Sequence, residues 1–378
     1  MNDRAAAGSH HHQHTARPGS QAHWHWPERA DAKRINLALQ GGGAHGAFTW
    51  GVLDRLLADG RVQFEAISGT SAGAMSAVVM TDGLMQGGPD QAREHLKRFW
   101  HRVSNYAVAR PLSGTPFDFF LSSWGGGSSG FAGNPLAVWF DLLTRLASPY
   151  EFNPLNLNPL RDLLVDEVDF SRVASCDCIR LFISATNVHS GRVRVFKTHE
   201  ISADAVLASA CLPHVFQAVE IDGVPYWDGG YMGNPVLFPF FDCCSASDVL
   251  IVQVNPVERP ATPRTSNQII ERINEIAFNA PLLRELRHVE FINACLQRGD
   301  LVGAGYREVF LHRIIGGSQL DAFGATSKQN AEWTFLKTLR DLGRAAAESW
   351  LATSFEHVGH RSTLALADFE EHAARATV

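Results

Sequence analysis

Twice near its start the chain runs a short aliphatic stretch into a cluster of small residues and then into a helical pattern. The first instance is "INLALQGGGAHGAFTWGVLDRLL", Ile35 to Leu57; the second is "FEAISGTSAGAMSAVVMTDGL", Phe64 to Leu84. "RINLALQ" (Arg34–Gln40) has the composition of a buried strand. Ala47–Ala58 sets Phe48, Val52, Leu53, Leu56 and Leu57 at helical spacing and stops near Asp59–Gly60. The second instance repeats the plan, with a strand to Ile67, a tight turn and a helix of small residues. Consecutive strand–turn–helix units return the chain to the same end of the next strand, so the strands run parallel. The expectation is an α/β fold with a mainly parallel central sheet covered by helices.

Composition sets the outer limits. The 378 residues are 45% apolar and 19% charged, enough for one large domain or two ordinary ones. Net charge is −6 and no Lys/Arg run stands out, which argues against nucleic acid as a partner. No stretch reaches 18 uninterrupted apolar residues, so no transmembrane helix is expected. The opening "GSHHHQHTARPGSQAHWHWPERADAK" is polar and His-rich and lacks the apolar centre of a signal peptide. Residues 1–33 read as a disordered, solvated arm, and the location as cytoplasmic or peripheral to a membrane. Cys176, Cys178, Cys211, Cys243, Cys244 and Cys295 show no zinc-ligand spacing. Reduced thiols and no metal or other cofactor follow as expectations. Nothing in the sequence fixes the oligomeric state.

Between about Tyr106 and Tyr150 the texture changes to Gly and Ser mixed with Phe, Trp and Leu. Two readings stand: an irregular insertion packed on the core, or a lid or lipid-facing loop with Gly hinges and an apolar underside. Phe119, Phe120 and Trp124 would carry the second. "IRLFISATNVHSGRVRVF" reads as two strands joined near Ser190–Gly191, "EIDGVPYWD" as a strand pair around Asp222–Gly223, and "DVLIVQVNP" as another buried strand. From Ser266 the pattern is mainly helical, with one strand at "EVFLHRII". The division expected is a catalytic domain over 34–265, a helical part over 266–353 that completes or caps it, and a weakly patterned tail over 354–378.

Three short motifs carry chemistry. Gly69–Thr70–Ser71–Ala72–Gly73 is G-x-S-x-G, and a nucleophilic serine needs a sharp strand-to-helix turn with small residues on both flanks. Gly69 and Gly73 supply those flanks. A serine hydroxyl also needs a base. The downstream histidines are His189, His199, His214, His288 and His312, any of which would make a triad. The other candidate is Asp228 in "YWDGGYMGNP", beside Gly229 and Gly230. An acid there is either a turn residue accepting backbone N–H bonds or a base acting directly. Finally, acyl transfer needs rigid donors for an oxyanion, and the turn of Gly41, Gly42, Gly43 and Gly46 opens a helix with no Cβ in the way. The same glycines fit G-x-G-x-x-G of a nucleotide site, with Glu65 as the supporting acid, although Glu65 enters its strand rather than leaving it. A fold that has lost catalysis and serves as a scaffold is the remaining alternative.

In this order, "GGGAHG", "GTSAG" and "DGG", the motifs resemble the patatin-like phospholipase family over roughly Arg34 to Pro256. The resemblance implies a three-layer α/β/α sandwich and hydrolysis of lipid acyl esters by a Ser–Asp dyad. It implies Ser71 as nucleophile, Asp228 as base and Gly41 to Gly43 as the oxyanion hole. It also implies a lipid ester as substrate, with transient contact at a lipid interface. The sequence departs from the family at His45, where Arg or Lys is usual before Gly46. A protonated His45 would support the turn or an acidic headgroup; a neutral one would be a turn residue bonded to backbone.

Overall fold

The structure is a computed structural model that describes residues 24–108, 148–259, 261–321, 323, 327 and 330–364. Its strands are β1 (Lys33–Leu39), β2 (Val62–Gly69), β3 (Arg180–Asn187), β4 (Val193–Lys197), β5 (Val219–Ile221), β6 (Val224–Asp228), β7 (Asp248–Gln253) and β8 (Phe310–Ile315). Traced by pairing, they form one sheet in the order β5-β6-β3-β2-β1-β7-β8, with β4 also on β3. The pairs β1–β2, β1–β7, β2–β3 and β7–β8 are parallel; β3–β4, β3–β6 and β5–β6 are antiparallel. The central strands are thus the parallel ones that repeated strand–turn–helix units require.

Both faces of the central strands are apolar because helices cover both. Leu37, Leu39, Leu250 and Val252 point into one core. It is shared with α1 (Gly46–Asp59), α2 (Ala72–Val108, broken at Gly87–Gly88) and α5 (Trp333–Thr353). Their neighbours Ala38, Val249 and Ile251 point into a second core, closed by Leu282, Leu286 and Val289 of α4 (Ser266–Arg298). A further short helix, α3 (Ala203–Ser209), lies between the β3–β4 hairpin and β5. The result is the expected three-layer arrangement of a sheet between helices.

One expectation changes. Residues 24–33 are not a free arm: Trp26 donates its indole N–H to Phe64 O at 3.1 Å, and its ring meets Trp24 and Phe64 edge to face. Two indoles offer more apolar area than a polar arm can leave in water, so this part of the arm docks. The residues after Ser266 join the sheet and the layers on both of its faces. β8 extends the sheet beside β7, α4 closes one face, and α5 packs along α1 on the other. The Gly- and aromatic-rich stretch, including Phe119, Phe120 and Trp124, lies outside the described residues; α2 reaches Val108 before it. Among the described residues no helix is long and apolar enough to cross a membrane.

Candidate active site

The register of β3 brings the site together. β4 pairs with β3 from Phe182 to Thr186, so it fills one edge. β2 and β6 must then share the other edge, and they meet on it end to end. β2 stops with Gly69 opposite Ile183; β6, running the other way, stops with Asp228 opposite Ala185. Only Ser184 separates the two positions. Two chain segments distant in sequence therefore leave the sheet at the same point, one into the Ser71 turn and the other into the Asp228 turn.

Ser71 occupies that turn with φ 53°, a left-handed conformation unusual for a residue with a side chain, and α2 begins at the next residue. Small flanks make the turn feasible. A Cβ on Gly73 would strike the Leu39 carbonyl, and one on Gly69 would come within 2.8 Å of Gly73 O. The Ser71 N–H donates to Ser209 Oγ, at the end of α3, at 2.9 Å. Behind it, Thr70 Oγ1 lies 2.6 Å from Ser184 Oγ, and both hydroxyls meet Gly233 O, at 2.7 and 2.9 Å. The turn is bound to the strand that separates the two segments and to the loop after Asp228.

Asp228 is fully buried. Its Oδ1 accepts the Gly230 N–H at 2.7 Å, its own N–H donates to Cys211 O at 2.8 Å, and Thr186 Oγ1 donates to its carbonyl at 2.7 Å. Gly229 sits flat on Ser184, and Gly230 on the ring of Phe278 from α4. Burial pushes the Asp228 carboxyl up to about 7, against the pull of the Gly230 N–H and the Ser71 hydroxyl. Ser71 is thus close enough to be felt, yet no hydrogen bond closes. Ser71 Oγ and Asp228 Oδ2 are both buried with no partner among the described residues. Buried polar atoms are nearly always bonded, so an unpartnered oxygen on each of two neighbouring side chains calls for an explanation.

The glycine turn arrives from β1 on the neighbouring strand. A Cβ on Gly41 would lie 2.9 Å from Ser71 Cβ, so the turn rests on Ser71. Gly43, with φ 58°, begins a short turn of 3-10 helix that leads into α1 at Gly46. Within Gly41 to Gly43, the expected oxyanion-hole region, one donor is already engaged, that of Gly41. Its N–H is already donated to Asn234 Oδ1 at 2.7 Å. Gln40 and Asn255 brace the turn from behind. Gln40 Oε1 accepts from Val254 N and Asn255 N at 3.1 and 3.0 Å, and Asn255 Nδ2 donates to Gly41 O at 2.7 Å. Gln40 Nε2 donates to Asn279 Oδ1 on α4 at 3.1 Å.

The other sequence candidates lie elsewhere. His45 is 3% exposed with its Nε2 2.7 Å from Ser327 Oγ, a ring held inside the fold. His189, His199, His214 and His288 are exposed on the surface. His312 is buried, but its Nε2 sits 3.0 Å from Asp248 Oδ1 at the entrance of β7, the end of the sheet opposite Ser71. Glu65 accepts from Ser245 N, Ser245 Oγ and Ala246 N, a structural role in the middle of β2 that leaves no carboxylate for a ribose. Sequence reasoning passed over Ser209, Gln40, Asn234 and Asn279. Asn234 carried the one visible signal, an amide six residues after Asp228 in "YWDGGYMGNP".

A serine with positive φ at a strand-to-helix elbow, a buried carboxylate beside it and a glycine turn resting on it meet at one end of the sheet. The chain belongs to the patatin-like phospholipase family, whose model matches residues 37–241, more than half of its length. That membership makes it a lipid acyl hydrolase in the broad sense. Among solved structures it is similar to VipD from Legionella pneumophila. The two are 15% identical, the match covers 90% of this chain and 72% of that one, and the TM-score is 0.42. No curated protein matches.

Proposed function

We propose that the protein hydrolyses carboxylic esters of lipids with Ser71 as nucleophile and Asp228 as general base. The observation that carries this reading is a pair of neighbouring buried oxygens, Ser71 Oγ and Asp228 Oδ2, with no other partner among the described residues. Asp228 takes the Ser71 proton as Ser71 Oγ attacks the ester carbonyl carbon. The negative charge moves to the carbonyl oxygen, where N–H groups of Gly42 and Gly43 at the start of the α1 turn meet it. Collapse breaks the bond to the alcohol, which leaves with the proton held by Asp228, and the acyl group stays on Ser71. Water, giving its proton to Asp228, attacks the acyl carbon; the fatty acid leaves and Ser71 recovers its proton.

An ordinary aspartate is too weak a base for this exchange at neutral pH. A carboxylate pushed up to about 7 is matched to both halves of the cycle, because it takes and returns a proton at little cost. The test is hydrolysis of a short-chain p-nitrophenyl ester and of phospholipid vesicles by Ser71→Ala and Asp228→Ala. Both folded variants are expected to lose about 1,000-fold or more in kcat. Full activity in either one removes the dyad.

A further inference from the structure

Besides Ser71 Oγ and Asp228 Oδ2, a third orphan stands at the site. Asn234 is fully buried, and its Nδ2 has no acceptor among the described residues. A buried primary amide leaving both N–H bonds unused loses the full desolvation cost of the group, so its retention calls for a partner that comes and goes. The orientation of the amide is fixed by its other end. Gly41 presents an N–H at 2.7 Å, which only an oxygen can accept, so the nitrogen occupies the remaining position. The backbone before it is equally fixed, since Gly233 O is held by both Thr70 Oγ1 and Ser184 Oγ.

Asn234 therefore lies between the two halves of the site. Through Gly233 it is tied to the residue before the nucleophile. Through Oδ1 it is tied to the glycine that rests on Ser71 Cβ. Gly41, whose N–H would otherwise serve an oxyanion, spends it on this side chain. We propose that Asn234 replaces that donor: Oδ1 locks the glycine turn, and Nδ2 donates to the carbonyl oxygen as it becomes negative, beside the N–H groups of Gly42 and Gly43. The resulting hole is mixed, with two backbone donors and one side-chain donor. No bond to Asn234 forms or breaks. In the resting site Nδ2 is buried with no acceptor among the described residues, and the charge of the tetrahedral intermediate is what satisfies it.

This inference rests on Ser71 being the nucleophile, so the experiment separates the two. Asn234→Asp keeps an oxygen for the Gly41 N–H and removes the donor; Asn234→Ala removes both. Each is assayed beside Ser71→Ala on a p-nitrophenyl ester and on the matching thionoester, whose sulfur accepts hydrogen bonds poorly. Circular dichroism checks the fold. The expected result is a kcat loss of about 100-fold or more with little change in KM, the size of losing one oxyanion donor. The ester-to-thionoester rate ratio should fall with it, because the lost donor discriminates oxygen from sulfur. A residue that only supports the fold would leave that ratio unchanged. The inference is overturned if a folded Asn234 variant keeps nearly wild-type kcat, or loses kcat at an unchanged ratio, while Ser71→Ala is inactive. An active Ser71→Ala overturns the dyad itself.

Discussion

Residues at the site are held in states that cost stability, and each cost has a measurable sign. Ser71 keeps φ 53° although it carries a Cβ. Replacing it by glycine removes that strain, whereas alanine retains it. Ser71→Gly is therefore expected to be more stable than Ser71→Ala by about 1 kcal/mol in urea unfolding, both being inactive. Asp228 gives a second test. The folded chain keeps its proton up to about pH 7, whereas an unfolded aspartate releases it near 3.8. Across that window the folded state binds more protons, so stability falls as pH rises. Glu285, also pushed up to about 7 by burial, adds the same sign. Asp228→Asn should raise the melting temperature at pH 8 and flatten, without abolishing, the decline between pH 4 and 7. Catalysis runs the opposite way, because the base must be ionised. Below an apparent pKa near 7, kcat/KM is expected to fall about tenfold per pH unit. A flat profile from pH 5 to 8 would contradict Asp228 as the base.

Among elements, α4 contributes most to the site for its distance in sequence. Phe278 packs on Gly230 and on the Tyr231 ring at 5.0 Å, and Asn279 holds Gln40 behind the glycine turn. Glu285 Oε2 accepts from Leu237 N and Phe238 N at 2.7 and 2.8 Å, fixing the chain just after Asn234. One helix thus clamps both turns that converge on Ser71. Asn279→Ala leaves Gln40 Nε2 and Pro256 O without their partners and is expected to cost about 1–3 kcal/mol by chemical denaturation. It should also lower kcat more than it changes KM, because the loosened part is the glycine turn proposed to hold the oxyanion. Unchanged stability would mean that the turn is braced from β1 and β7 alone.

At the scale of the whole molecule, the sheet and its site depend on the last third of the chain. β8 covers the edge of β7, α4 closes one core and α5 the other. A chain ending at residue 265 should show no cooperative thermal transition by circular dichroism; a sharp one would make 34–265 a domain in its own right. Much of this was legible in the sequence because the signals are local. Strand-to-helix turns announce themselves through small residues, as at Gly69 and Gly73, and aliphatic runs on β1, β2 and β7 mark strands buried on both faces. What stayed hidden was non-local. That β2 and β6 share one edge of β3 follows from register, which no spacing encodes. Gln40, Asn234 and Asn279 are ordinary polar residues until the fold buries them against Gly41. Trp24 and Trp26 were hidden by the His-rich composition around them.

The central claim is that Asp228 activates Ser71. It is tested most directly by the rate at which a fluorophosphonate modifies the protein, followed by intact mass from pH 5 to 9, in wild type and Asp228→Asn. The wild type is expected to be labelled on Ser71 alone, at a rate that rises to a plateau above pH 7. Asp228→Asn, folded and equally stable or more so, should react about 100-fold or more slowly on the plateau above pH 7, with the gap closing toward pH 5 as wild-type Asp228 takes up its proton. Labelling of Asp228→Asn at the wild-type rate, or modification of a residue other than Ser71, would contradict the account.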